Sequence, residues 1–143
     1  NITVRRVVEI DSTDQFANGT GALQSEDAAS VSGSTTTTPV DLDLEALAGG
    51  AGNINFDELR VFVVENTDTS GSAYLLVGGG GSNEWLGLFD AAGDALRLPA
   101  GSLIAFKSTL ANGLAVSGSS KTLRLTASTG SIAYKVTCIG LST

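Results

Sequence analysis

From residue 40 onward the chain consists of short apolar segments separated by turn residues, and none of the segments keeps a helical period. In the first segment, residues 40–47, apolar positions alternate with Asp41, Asp43 and Glu45. Such an alternation is typical of a half-buried strand. The later apolar segments are residues 61–64, 73–77, 85–89, 95–98, 103–106, 114–116, 123–127 and 132–141. Gly, Pro or Asn residues mark several of the boundaries between them, so the pattern predicts strands joined by turns.

Short strands at this spacing, with turns rather than helices between them, are typical of a sandwich or barrel. The length of 143 residues fits one domain. We therefore predict an all-β fold, a single jelly-roll-like β-sandwich of about eight to ten short antiparallel strands. The continuous apolar run at residues 61–64 predicts a strand that is covered on both faces. The pattern also allows a single helical turn at residues 56–59.

The N-terminal region differs from the remainder of the chain, because a Gly-, Ser- and Ala-rich stretch separates its first apolar residues from the later segments. We predict an N-terminal strand or arm segment at residues 1–33 and the sandwich domain at residues 34–143. The predicted strand at residues 2–10 contains two arginines and an apolar stripe, namely Arg5, Arg6, Ile2, Val4, Val8 and Ile10. Two alternatives stay open: an ordinary first strand in its own sheet, or an arm that pairs with a neighbouring subunit by strand addition.

The composition is poor in the groups that enzymes and metal sites use. The chain has no His, and Cys138 is its only cysteine. His is the commonest general base and metal ligand, and a nucleophilic Ser or Thr needs a base beside it. Cys138 lies in an apolar run and is interpreted as a buried small hydrophobe. We therefore predict a non-enzymatic protein with no catalytic residue, no metal and no cofactor.

Two local patterns resemble ligand sites but are interpreted as structural. The glycines at residues 78–81 lack the Lys-Ser/Thr pair and the helix of a phosphate-binding loop, so they predict a tight turn. Asp41, Asp43 and Glu45 carry oxygen ligands of the kind that Ca²⁺ prefers. Carboxylates at alternate positions lie about 7 Å apart along a strand, too far for all three to bind one ion. These carboxylates are therefore interpreted as the solvated face of a strand.

The charge is unevenly distributed along the chain. Its net value of −7 argues against a nucleic-acid partner, because phosphate binding needs clustered Lys and Arg. Between Glu9 and Asp68 there are twelve acids and one base, whereas from residue 95 onward there are five bases and no acid. Either strands of the two halves interleave and neutralise this asymmetry within one subunit, or they segregate into poles for docking against other copies. No apolar stretch approaches the roughly 20 residues of a membrane helix, so no membrane partner is predicted.

Trp85 is the only tryptophan of the chain, and Phe89 follows it closely. The pair has two interpretations: an aromatic surface on which a sugar stacks, or a filler of the core or of an interface. The first interpretation gives an alternative function, that of a carbohydrate-binding β-sandwich. Both residues are candidate interface residues.

Several short motifs follow one another in a characteristic order between residues 40 and 143. They are DLDL at 41–44, FDELRV at 56–61, LVGG at 76–79, SNEW at 82–85, LPAG at 98–101, GLAV at 113–116, LRL at 123–125, YKV at 134–136 and IGLS at 139–142. This order resembles that of a group of small structural proteins of tailed bacteriophages. The first 40 residues match less clearly and are interpreted as an arm or a virion-specific addition.

The resemblance implies a capsid decoration, or cement, protein on a β-sandwich. Such proteins sit as oligomers, often trimers, over the junctions between capsomers and brace the shell. The implied partners are further copies of the chain, as a homotrimer, and the major capsid protein of the virion. The implied location is the capsid surface, after synthesis in the host cytoplasm. A tail- or fibre-associated virion protein involved in host-surface attachment is the alternative. The candidate interface residues are Ile2, Val4, Arg5, Arg6, Val8, Trp85 and Phe89.

Overall fold

The computed structural model of the protein describes residues 26–49, 52–69, 71–108 and 113–142. These parts are all-β and contain eleven strands, more than the sequence predicts because three of them are only two or three residues long. The strands are β1 (Glu26–Thr35), β2 (Val40–Asp43), β3 (Leu47–Gly49), β4 (Gly52–Ile54), β5 (Phe56–Asn66), β6 (Tyr74–Gly78), β7 (Ala95–Pro99), β8 (Leu103–Lys107), β9 (Leu114–Ala115), β10 (Thr122–Ala127) and β11 (Ile132–Ser142).

The described strands form two main antiparallel sheets. The five-stranded sheet has the order β1-β11-β5-β8, and the short β9 also pairs with β5. The four-stranded sheet has the order β2-β10-β6-β7. Strands β3 and β4 form a separate hairpin. Strands that are distant in sequence therefore lie side by side in both sheets.

The inner faces of the two main sheets share one hydrophobic core. Phe62 and Val64 of β5 and Val136 of β11 meet Leu75 of β6 and Leu125 of β10, and all five are 0% exposed. Because successive side chains of a strand point to opposite faces, alternate residues of each strand enter this core. Two sheets that face each other over a common core give the molecule a β-sandwich-like architecture. The jelly-roll connectivity stays a prediction.

Two local predictions differ from the structure. Residues 56–59 form the start of β5 instead of a helical turn, because pairing with β9 and β11 binds their backbone groups. Residues 85–89 form no strand. The N–H group of Phe89 instead donates to the carbonyl of Leu86, so this apolar segment closes a turn.

Strand β1 crosses the predicted boundary at residue 34. It pairs with β11 along its whole length, from Glu26 opposite Leu141 to Thr35 opposite Ile132. Residues 26–33 therefore belong to the five-stranded sheet. The predicted strand at residues 2–10 lies outside the described residues, as do its candidate interface residues Ile2, Val4, Arg5, Arg6 and Val8.

The pairing of β5 with β11 contains an irregularity at Gly140. The register shifts between Ile139 and Gly140, so that Arg60 stands as an extra residue between Leu59 and Val61. At this point the two backbones approach so closely that a Cβ atom on Gly140 would overlap the carbonyl group of Glu58. A residue without a side chain is required there.

We predict that Gly140→Ala lowers the free energy of unfolding by about 2–4 kcal/mol, because the methyl group forces β5 and β11 apart. The matched control is Gly118→Ala, where the nearest atom to an added Cβ is Oε1 of Glu45 at 4.0 Å. This control should change the free energy by less than about 0.5 kcal/mol. Urea unfolding of both variants measures the difference, and equal stabilities would contradict the steric explanation.

Candidate functional site

The glycine loop, residues 78–81, surrounds the carboxylate of Glu84. All four glycines have φ values between 94° and 129°, a region that only glycine adopts readily. Gly79 and Gly80 donate their N–H groups to Oε1 of Glu84 at 3.0 and 2.8 Å. Gly93 donates its N–H group to Oε2 at 2.7 Å. Backbone N–H groups that converge in this way form an anion-binding nest, and here the chain's own carboxylate fills it.

Glu84 is only 6% exposed, yet its carboxyl group is held in the charged form. Burial raises the pKa of this carboxyl, but the N–H groups of the three glycines and the positive charge of Arg124 together lower it more. The net pKa lies below the ordinary value of 4.5. The ionised side chain therefore binds the end of β6 to the turn that precedes β7.

Arg124 of β10 extends this network to β2. Its Nε and Nη2 atoms donate to Oδ1 and Oδ2 of Asp41 at 2.7 and 2.8 Å, which is a bidentate ion pair. The hydrogen bond from Arg124 is the main reason why the pKa of Asp41 lies below its ordinary value of 3.8. The guanidinium also packs against Gly81, where an added Cβ would lie 2.9 Å from Nη2. Asp41, Arg124, the glycine loop and Glu84 therefore form one connected unit.

Lys121 forms ion pairs with Asp43 and Glu45, the two carboxylates that follow Asp41 in the same segment. Its Nζ atom lies 3.1 Å from Oδ2 of Asp43 and 2.9 Å from Oε2 of Glu45. All three carboxylates of this segment are thus paired with bases that come from the basic half of the chain. In the four-stranded sheet, strands of the acidic and basic halves of the chain therefore interleave and neutralise each other, which is the first of the two alternatives for the uneven charge. Partly exposed ion pairs add little stability, so their main effect is to favour this register.

Trp85 lies in the core instead of on the surface. Its side chain is 0% exposed, its Nε1 atom donates to the carbonyl of Ala115 at 2.9 Å, and its ring centroid lies 5.0 Å from that of Phe62. Phe89 is partly buried beside the glycine loop, where a Cβ on Gly78 would lie 2.7 Å from its Cζ. The sugar-stacking surface predicted for Trp85 is therefore not formed, and the core interpretation is the correct one for this residue.

Cys138 is buried at 0% exposure on the inner face of β11, as the sequence predicts. Burial raises the pKa of its thiol to about 12, so the thiol stays protonated at neutral pH. Since the thiolate is the nucleophilic form, Cys138 acts as a core residue. The described residues contain no group of three or more His, Cys, Asp and Glu side chains arranged for a metal ion. Nor does any helix within the described ranges have the length and apolar character to span a membrane.

A mixed set of apolar and polar side chains forms the outer face of the five-stranded sheet, the side of β1, β11, β5 and β8 that points away from the core. At its centre Val63 stands between Thr137 and Ala105, and Val61 stands beside Ile139. Val61 is 3% exposed, whereas Val63, Thr137 and Ile139 are partly exposed and Ala105 is exposed. No candidate interface residue of the sequence analysis lies here. The sequence signal for this face is the continuous apolar run at residues 61–64.

The outer face of the four-stranded sheet has a different character. It carries the Asp41–Arg124 ion pair, and the guanidinium carbon of Arg97 lies 3.8 Å from the ring centroid of Tyr74. Charged and aromatic groups on this side are therefore paired within the chain. The outer face of the five-stranded sheet is the candidate interaction surface because Val63 and Ile139 are partly exposed at its centre.

Comparison with known proteins gives no match for this chain among family models, curated proteins or solved structures. The interpretation of the candidate surface therefore rests on its own geometry and on the motif order of the sequence.

We predict that Glu84→Ala lowers the free energy of unfolding by about 2–4 kcal/mol, because three backbone N–H groups lose a charged acceptor. Glu84→Gln should lose less, since its amide oxygen still accepts hydrogen bonds. Glu45→Ala removes a carboxylate from a partly exposed ion pair and serves as the control, with a smaller loss than Glu84→Ala. Chemical unfolding gives all three values. A loss for Glu45→Ala as large as that for Glu84→Ala would contradict the role assigned to the glycine loop.

The stabilising effect of Glu84 should depend on pH in acid. Its pKa is lower in the folded chain than in the unfolded chain, so its contribution is complete above about pH 4.5 and is lost as the pH falls through the folded-state pKa. The difference in unfolding free energy between the wild type and Glu84→Gln should therefore shrink as the pH falls below about 4.5. A difference that stays constant or grows over this range would show that the carboxylate is not the stabilising form.

Proposed function

We propose that this chain is a non-enzymatic structural protein of a phage virion, a capsid decoration protein that forms homo-oligomers on the head shell and stabilises it. The observation that carries the proposal is the outer face of the five-stranded sheet. Val63 and Ile139 are partly exposed on it, beside Thr137, whose hydroxyl shares a hydrogen bond of 3.3 Å with that of Ser30. Contiguous apolar surface on a folded protein commonly marks a contact with another protein.

The motif order supports this proposal through the positions of its members. Gly79 comes from the LVGG motif, Glu84 and Trp85 come from SNEW, and Arg124 comes from LRL. These residues build the buried carboxylate network and the adjacent core. The motifs that resemble phage structural proteins are therefore the segments that shape the sandwich, as is expected when a resemblance reflects a common scaffold.

The ion-pair pattern supports assembly by an apolar contact in preference to docking by charge poles. Asp41, Asp43 and Glu45 are paired within the chain, so this part of the acidic half is not available as an acidic pole. The net charge of −7 remains and favours solubility of the free subunit before assembly. The trimer that the resemblance implies stays a prediction. Light scattering tests it by measuring the mass of the oligomer in solution.

The carbohydrate-binding alternative has lost the residue on which it was based, because Trp85 is buried. The tail- or fibre-associated alternative predicts the same fold and differs only in where the chain is found in the particle. Separation of heads from tails decides between these two locations.

We predict that the chain is a component of the heads of the phage that encodes it. Mass spectrometry of purified, tail-free heads should detect it. Heads produced without the gene should bind the purified chain in a sedimentation assay and should withstand higher temperatures after binding, because decoration adds contacts across capsomer junctions. Bovine serum albumin is the control for non-specific sedimentation. Absence of the chain from heads, together with no binding to heads that lack it, would contradict the proposal.

A further inference from the structure

Strand β1 is the last described strand at one side of the five-stranded sheet. Among the described strands it pairs with β11 alone, along all ten residues from Glu26 to Thr35. Its other side, the open edge of β1, therefore carries backbone N–H and C=O groups that belong to no ladder with another described strand. A sheet edge of this length is a site at which an extended segment can add as a further strand.

The core reaches as far as this edge. On the inner face of β1, Ala29 and Thr35 are 2% exposed, and Val31 between them is partly buried against the core. The β3–β4 hairpin lies against β1, and in it the buried Leu47 stands opposite the partly buried Ile54. Apolar side chains placed beside β1 on the inner face would therefore extend the core.

The sequence before β1 contains both a segment of matching length and a turn. Asn18-Gly19 is a residue pair typical of a two-residue hairpin turn, because a type I′ turn needs positive φ at both central positions. With Asn18 and Gly19 as the turn, Ala17 stands opposite Thr20. Counting outward along both arms then places residues 2–11 opposite residues 26–35, which are the limits of β1.

The register set by this turn also places the apolar stripe of residues 2–10 on the inner face. Directly opposed residues of an antiparallel pair point to the same face. Val8 would stand opposite Ala29 and Ile2 opposite Thr35, and both of these β1 residues point into the core. A slip by one residue would turn the whole stripe outward. The turn and the core thus require the same register.

Arg6 interrupts the stripe and would stand opposite Val31. An inward-pointing charge on an outermost strand is one of the means by which proteins prevent a further strand from pairing with a sheet edge. The apolar part of a long arginine side chain can cover the sheet while its guanidinium reaches water past the edge. Arg6 therefore fits an outermost strand.

We propose that residues 2–11 form an antiparallel strand on the open edge of β1 of the same chain, joined to it by a turn at Asn18-Gly19. The occupant is the chain's own segment, because the turn connects the two strands directly and its register satisfies the core. The proposal does not depend on a role in a virion. It assigns the candidate interface residues Ile2, Val4 and Val8 to the core of their own subunit.

The first test forms a disulfide across one proposed pair in the full chain. Arg5→Cys with Ser32→Cys places two cysteines directly opposite each other on the outer face, with Cα atoms about 4.5–5.5 Å apart, which suits a disulfide. The matched control is Arg5→Cys with Ser34→Cys, a diagonal pair about 7–8 Å apart and too distant to bridge. Both serines are exposed, whereas Cys138 is buried. After mild oxidation, peptide mapping by mass spectrometry should find the link within one chain in about tenfold higher yield for the first pair.

The second test compares two adjacent valines that would point to opposite faces. Val8→Asp places a carboxylate in the core beside Ala29, so it should lower the melting temperature by about 5–10 °C. Val7→Asp is the matched control, on the outer face beside the exposed Ser30, and should lower it by less than about 2 °C. Circular dichroism measures both transitions. Failure of Val8→Asp to fold, with Val7→Asp folded, would also support the proposal.

Four results would overturn it. A disulfide between two chains, seen as a covalent dimer on a denaturing gel without reductant, would show that a neighbouring subunit supplies the strand. Equally low yields from both cysteine pairs would show that the open edge of β1 is left for another partner. A higher yield from the control pair would contradict the register set by Asn18-Gly19. Equal melting temperatures of Val7→Asp and Val8→Asp would contradict the placement of the stripe in the core.

Discussion

The pairing of β5 with β11 is the interaction on which the remaining structure depends. These two strands lie at the centre of the five-stranded sheet, with β1 on one side and β8 on the other. Their inward residues, such as Phe62 and Val136, supply a large part of the core, and their outward residues form the centre of the outer face. Because one register sets both faces, a slip by a single residue would move the core side chains to the surface. The register shifts by one residue at Gly140, where Arg60 is the extra residue of β5.

The glycine loop shows how a feature of ligand sites serves the fold. Converging N–H groups and a run of glycines are the means by which many proteins bind phosphate. Here Glu84 occupies that position from within the chain, and Arg124 connects the same unit to β2. Residues 85–89, which follow Glu84, do not form the strand that their apolar sequence predicts. The charge of Glu84 is buried but satisfied, so it fixes the connection between β6 and β7 without creating a reactive group.

Other side chains of the kinds that catalytic and binding sites use also serve the fold. Cys138 is buried as a protonated thiol, Trp85 fills the core, and Asp41, Asp43 and Glu45 are bound by bases of the opposite half of the chain. Polar side chains thus hold strands together, while the apolar surface lies on one outer face. The partly exposed Val63 and Ile139 on the outer face of the five-stranded sheet are suited to contacts between proteins, which is the basis of the proposed role in a virion.

The sequence alone determined the all-β class, most strand positions after residue 40 and the burial of Cys138, because alternation and turn residues are local signals. It also marked β5 as unusual, since an uninterrupted apolar run at residues 61–64 needs cover on both faces. It did not predict that residues 56–59 belong to β5, because pairing with β9 and β11 overrides local preference there. Nor did it predict that residues 85–89 form a turn, in which the N–H group of Phe89 donates to the carbonyl of Leu86. The partners of Asp41 and Arg124, the burial of Trp85 and the composition of the outer face were decided only by the tertiary structure. Each of these depends on which distant strands become neighbours, and that choice follows from the packing of the whole core.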